Sequence, residues 1–324
     1  MDFNMPWQSL WEATQFSLSV TLPNLILLSL GLWLRYRQQV DHHFCAQASN
    51  LVFNWSLPLL MFFSIVGSDA DYRSQVDMVI AGVICALILF FACEWLAKKI
   101  IPEVRDRGVF VQGVYRGNTG IVGLAFCANA YGAEGIAIGA VMTGAMTFLY
   151  NILAVITLTR SLNPGKKVQW GHMLLQMVKN PLILSILIAI VWKYFAVPVP
   201  MVLNQTGHFL ASMALPLALL CAGAAFDVKS VLKVSGVSQG SSVGRLVAAP
   251  VLAVMVGKAM GLEGVQFGVL FMMSATPVAA ASYVMVKAMG GNDVAAANIV
   301  GITTFGAMFS AAIGLGLMRP LGWL

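Results

Sequence analysis

Charge is what this chain has least of. Charged residues make up 10% of its 324 positions, apolar residues 59%, and the mean hydropathy is +0.82. A soluble domain carries about 25% charged residues, so the chain lacks the polar side chains to cover a water-facing globule. Carboxylates are scarcest, with 13 Asp and Glu against 19 Lys and Arg. Nearly all of them fall in tails, loops or helix ends. Glu94 is the most embedded, and it stands one turn from Lys98. No His–His, Cys–His or Asp–Asp spacing occurs within an apolar run. An intramembrane enzyme needs a nucleophile with its base, a carboxylate pair or a metal cluster, and a proton or sodium pump needs a midplane carboxylate. Both classes fit poorly, and nothing calls for a cofactor or a metal. The five cysteines are scattered without metal spacing or a disulfide framework. Lys and Arg are absent from Met1 to Ser19, so the basic leader of a cleavable signal peptide is missing.

What is present is a series of ten apolar segments, at about 17–36, 46–66, 76–98, 109–131, 135–159, 173–196, 206–226, 239–260, 264–289 and 295–317. A run of about 20 residues spans a bilayer as helix. The odd-numbered connections carry Arg35 and Arg37; Lys98, Lys99, Arg105 and Arg107; Arg160, Lys166, Lys167 and Lys179; Lys229 and Lys233; and Lys287. The alternate connections carry Asp69, Asp71, Asp77, Glu134 and Glu263, with Arg73 the main basic exception. Positive residues stay on the cytoplasmic side, which predicts both termini outside. This distribution also accounts for the net charge of +6 by membrane orientation, so the partner implied is a lipid bilayer and no nucleic acid.

Five segments per half would insert the halves in opposite orientations, the inverted repeat common among secondary transporters. An internal echo supports it: Leu57-Pro58-Leu59 in the second segment matches Leu215-Pro216-Leu217 in the seventh. The interval from Pro58 to Asn118 equals that from Pro216 to Thr276. The expected fold class is therefore an all-α polytopic membrane protein of ten helices in two inverted five-helix repeats.

Two polar interruptions occupy corresponding segments. Arg116-Gly117-Asn118-Thr119-Gly120 breaks the fourth and Ser274-Ala275-Thr276-Pro277 the ninth. Backbone loosened at membrane depth survives only when buried in protein or lining a wet cavity, so the two breaks are expected to meet and form a solute site. Arg116 is read as the only cation deep in the membrane. It is either a counter-charge for an anionic solute or an arginine snorkelling to the inner headgroups. Gly117 and Gly120 serve the loosened turn or close helix packing, and Asn118 and Thr119 bind solute or bridge the backbone. Pro277 removes a backbone bond and frees carbonyls near Met273 and Ser274, where Ser274 and Thr276 can act as partners. Half-helix N-termini at such a gap favour anions. Asn54, one turn before Pro58, bonds the kinked backbone or faces solute. Asn151, Asn298, Thr303 and Thr304 read as interhelical glue, and Gly135, Gly139 and Gly144 as packing positions.

Taken together, Asn54-Trp55-Ser56-Leu57-Pro58, Gly117-Asn118-Thr119-Gly120 with Gly123, Asn180-Pro181, Leu215-Pro216 with Gly223, and Pro277 resemble the auxin efflux carrier family in its bacterial branch. The resemblance implies crossing helices 4 and 9, a homodimer, an elevator-type movement, and residence in the bacterial inner membrane. It also implies a division of the chain. After an outer tail at 1–16, scaffold helices occupy 17–66 and 173–226. Transport-unit helices occupy 76–159 and 239–317, and a short basic cytoplasmic loop lies at 160–172. Small organic anions, carboxylates above all, are the implied substrates. The residues carried over are Gly117 to Gly120, Ser274 to Pro277, Asn54 and Pro58. The chain departs from the plant members in two ways. It has no long hydrophilic central region, and its fourth segment has no proline. Two other functions remain open, an anion channel or passive pore and a non-transporting receptor. A channel expects a continuous polar stripe or rings of like residues, whereas polarity here is concentrated at two points.

Overall fold

The computed structural model describes residues 7–68, 75–162, 171, 175, 179–226 and 235–324, with side chains from Trp11 onward. The tail residues 1–6, most of the basic loop at 160–172, and Asp69, Asp71, Arg73, Lys166, Lys167, Lys229 and Lys233 lie outside them. Among the described residues the only regular structure besides helix is one isolated bridge between Gly117 and Val278.

The helices follow in order: α1 (Trp7–Tyr36), α2 (His42–Val66), α3 (Val76–Ile100), α4 (Val104–Tyr115), α5 (Thr119–Leu162), α6 (Pro181–Tyr194), α7 (Met201–Ala224), α8 (Gly236–Ala259), α9 (Gly264–Ser274), α10 (Ala280–Ala288) and α11 (Asp293–Met318). Seven of them, α1, α2, α3, α5, α7, α8 and α11, are long and apolar enough to cross a membrane. Their outer faces are apolar: Ile80, Ile84, Ile88, Phe91 and Trp95 form an exposed stripe along α3. A patch of that length on a soluble protein would aggregate; here it suits lipid.

Local chemistry sets the helix ends. Left-handed Gln38 (φ 57°) closes α1, letting the Gln39 N–H reach Leu34 O at 3.0 Å. Asp41 starts α2 by accepting the Phe44 N–H at 2.7 Å. The 44-residue α5 is not one rod. Gly132 (φ 58°, ψ −138°) breaks it into two arms. Gly135 lies against Cys127 and Gly139 against Leu124, so the second arm folds back on the first. The packing reading of Gly135 and Gly139 agrees with these contacts.

Two interior prolines are accommodated by a wider turn placed just before each. Val52–Ser56 precedes Pro58 in α2, and Gly244–Ala248 precedes Pro250 in α8. A proline in a helix removes one backbone donor and crowds the carbonyl four residues back, and an i→i+5 turn relieves that crowding. In α8 the carbonyl in question, Leu246 O, instead accepts the Ser310 hydroxyl of α11.

α1 and α7 approach backbone to backbone. A Cβ on Gly31 would fall on Leu220 O, and one on Gly223 on Leu28 O, the small-residue contact by which membrane helices pack. Gly223→Ala is expected to destabilise the protein by about 1–3 kcal/mol and to lower its thermal midpoint. Gly316→Ala, where no neighbour lies within 4 Å, should leave the midpoint unchanged or slightly raised; differential scanning fluorimetry in detergent separates the two.

Candidate functional site at the helix crossing

α4 ends at Tyr115 and α9 at Ser274, each inside the protein, with Gly108–Tyr115 and Phe267–Met273 fully buried. The chain then runs extended for a few residues before α5 and α10 begin. The two extended pieces pair: Asn118 N–H donates to Pro277 O at 2.8 Å, and Ala279 N–H to Arg116 O at 3.0 Å. Gly117 faces Val278 in this antiparallel bridge, and the Val278 N–H is held by the Thr303 hydroxyl at 3.1 Å. The two breaks expected to meet do meet, and each satisfies backbone groups of the other. Asn118 caps α5 by accepting the Ile121 N–H at 3.3 Å.

Two helix C-termini also converge there, and their free carbonyls need donors. Arg245 supplies them. Carried on the wide turn of α8 and 1% exposed, it donates Nε–H to Thr276 O at 2.8 Å and Nη1–H to Val114 O and Tyr115 O, both at 3.1 Å. Nη2 donates to Ser274 O. Among the described residues no carboxylate pairs with it. Each helix C-terminus acts as roughly half a negative charge, so the two ends together offer about one counter-charge. Arg245 overturns the reading of Arg116 as the only deep cation. It stands six residues into the eighth segment, and the signal that could have found it is its position just before Pro250.

The Arg116 side chain is bonded within the protein. It is 6% exposed, and its guanidinium donates to Gln112 Oε1 at 3.3 Å, Asn151 Oδ1 at 2.7 Å and Met285 Sδ at 2.7 Å. Among the described residues it too has no carboxylate partner. It lies in the wall of an open cavity of about 950 Å³, which adjoins a narrower space of about 310 Å³ ending on the crossing. The larger cavity is walled by α2 (Ser49, Asn50, Phe53, Leu57), by Asn151 and Val155 of α5, by Asn180 at the start of α6, and by α10. The narrower space is floored by Gly117 to Ile121 and Ala279 to Ala281. These residues lead into the first turns of α5 and α10; the Asn118 and Ala279 N–H groups are spent across the bridge and that of Ile121 on the Asn118 cap, while a helix's other leading N–H groups have no acceptor within it. On the far side of the crossing, Tyr115, Tyr150, Arg245 and Ser274 enclose only about 10 Å³.

The expected site residues therefore divide. Arg116, Gly117, Asn118, Thr119 and Gly120 border the cavity together. Thr276 is fully buried, and its hydroxyl donates to Met273 O at 2.9 Å; with Arg245 on Ser274 O, the carbonyls freed before Pro277 are satisfied within the protein. Ser274, Thr276 and Pro277 thus build the crossing from behind, and Pro277 contributes its carbonyl to Asn118. Asn54 does not border the cavity. It is exposed and bonds Asn50, and Asn50 is the amide of α2 that faces the space. Asn151, read as interhelical glue, bonds Arg116 across that wall.

Seven helices of spanning length, an apolar exterior, and two broken helices whose buried ends meet beside a cavity are the features of a polytopic helical membrane protein. A family model described as "Membrane transport protein" matches residues 17–314. The chain belongs to that family, the auxin efflux carriers. Among curated proteins no significant match is found.

The bridge leaves no room at Gly117: a Cβ there would lie 2.5 Å from Thr276 Oγ1 and 3.1 Å from Arg245 Nη2. Gly117→Ala should therefore cost about 1–3 kcal/mol and widen the crossing. The check is a lowered thermal midpoint together with faster deuterium exchange at Gly117, Asn118 and Ala279.

Proposed function

We propose that the protein is a secondary carrier of small organic anions, carboxylates foremost, binding them where the cavity meets the crossing. One observation carries the reading. The cavity ends on the N-terminal turns of two half-helices and on Arg116, which has no acidic partner among the described residues. Oriented N–H groups and a helix N-terminus favour an anion, and a buried arginine lacking its counter-ion is costly until one arrives. A carboxylate supplies the missing charge.

In this reading α4 with the first arm of α5 forms one crossing span, and α9 with α10 the other. With the second arm of α5 and with α6 counted as spans, the chain crosses ten times, as two inverted halves. The cavity lies between segments 17–66 and 173–226, taken as scaffold, and segments 76–159 and 239–317, taken as the moving unit. That is where an elevator would expose its site alternately to the two sides. The cavity wall follows α2 to Ala46, α5 to Val155 and α10 to Met285, the ends that lead to Arg37, Arg160 and Lys287. The positive-inside rule makes that side cytoplasmic, so the conformation is inward-open with both termini outside. The same reading takes a homodimer in a bacterial inner membrane.

Counterflow of radiolabelled mono- and dicarboxylates in proteoliposomes tests the proposal. Saturable, trans-stimulated exchange is expected; large unitary currents without trans-stimulation would support a channel, and tight binding without flux a receptor. Arg116→Gln, which keeps a hydrogen-bonding side chain, should weaken carboxylate binding about tenfold or more while the protein stays folded. Unchanged affinity in that variant would remove Arg116 from the site.

A further inference from the structure

We infer that the crossing contains a monovalent-cation site whose resident ion is the Arg245 guanidinium. The carbonyl oxygens of Val114 and Tyr115 at the end of α4, of Ser274 at the end of α9 and of Thr276 just past it converge on one buried guanidinium. A cluster of neutral oxygen ligands at helix C-terminal ends and unwound backbone is the coordination by which broken-helix transporters hold a free sodium ion. Here the point is filled from the side by a group that is always protonated and is tethered to α8. All four oxygens accept from its N–H groups, and about one negative charge from the two helix ends matches its single positive charge.

The arrangement explains why α8 widens where it does. The wide turn Gly244–Ala248 carries Arg245 into the crossing, directly ahead of Pro250. A side chain at Gly117 would meet the Thr276 hydroxyl first and then this same guanidinium. A permanent ion has two consequences. The carbonyls stay neutralised whether or not solute is bound, and a free cation has no place to enter. Removing the guanidinium leaves an oxygen-lined vacancy in an apolar interior, the condition under which a small monovalent cation becomes a ligand.

The test uses the full-length protein in detergent and in liposomes, with Arg245→Gly to open the site and Arg245→Lys to keep the charge with fewer donors. Thermal stability is titrated with guanidinium chloride at low millimolar concentration, sodium chloride or choline chloride at constant ionic strength. The wild type is expected to show no sodium- or guanidinium-specific shift. Arg245→Gly should have a lowered midpoint that guanidinium or sodium raises saturably and choline does not. Arg245→Lys should fall between the two and stay insensitive to sodium. Saturable sodium stabilisation of the wild type, or an Arg245→Gly protein that responds to none of the ions, overturns the inference. If Arg245→Gly does not fold, a sodium-responsive Arg245→Lys overturns it and an insensitive one supports it. This readout needs no transported solute, so a failure of the carrier proposal is seen separately, as absent counterflow in the wild type. Where counterflow is present, the inference expects wild-type rates to agree within about twofold in sodium and in choline.

Discussion

Every backbone group at membrane depth must find a partner inside the protein, because lipid offers none. The crossing is where that demand is most severe. Two helices stop there and two begin, leaving both free N–H and free carbonyl groups within a few ångströms. The molecule sorts them by sign. The carbonyl ends are tied to Arg245 and closed off, and the starts of α5 and α10 border the cavity. The antiparallel bridge between Gly117 and Val278 is the seam between these two environments. Thr303, Thr276 and Asn118 each remove one further unsatisfied group, so the polar residues near the crossing are there first to complete the backbone's hydrogen bonding.

This has a bearing on how a protein so poor in carboxylates sets up a field. Among the described residues its deep charges are two arginines, neither of which has an acidic partner there. One is balanced by helix ends, and the other is only hydrogen-bonded, to Asn151, Gln112 and Met285. Neutral dipoles can stabilise a cation that must stay, but they do not cancel it. The imbalance around Arg116 is thus localised at the cavity wall, where a solute can respond to it.

Much of this was legible in the sequence, and for definite reasons. Apolar runs of span length announce a membrane protein because length and hydropathy are what a bilayer selects. The breaks at Gly117 and Pro277 are visible because glycine and proline act on the backbone in any context, and the equal intervals from Pro58 to Asn118 and from Pro216 to Thr276 mark the two breaks as counterparts. The assignment of side chains to surfaces was much less legible. Asn50 and Asn54 are one turn apart on a helix whose wide turn changes the helical phase, so periodicity could not say which faces the cavity. Arg245 was overlooked because a single arginine in an apolar run reads as a helix-end charge; its four acceptors come from segments more than a hundred residues upstream and about thirty downstream. Among the described residues seven helices are of spanning length where ten segments are read. The difference lies at the two breaks, at Gly132, where chain direction depends on a single glycine's dihedral angles, and in the sixth segment, of which the described helix is Pro181–Tyr194.

The wide turns before Pro58 and Pro250 have a consequence for how the fold tolerates change. An ordinary helix has one angular register, about 100° per residue, from end to end, so a demand at one end constrains the other. An inserted residue acts like a gear with an extra tooth, resetting the register midway. In α8 the half before the turn is free to aim Ser241 at α4 and the turn itself carries Arg245 to the crossing, while the half after it aims Ala249, Ala253 and Gly257 at a different set of neighbours. The two halves can therefore vary in sequence almost as separate helices, whereas a one-residue deletion within Gly244–Ala248 would turn one half's buried face towards lipid.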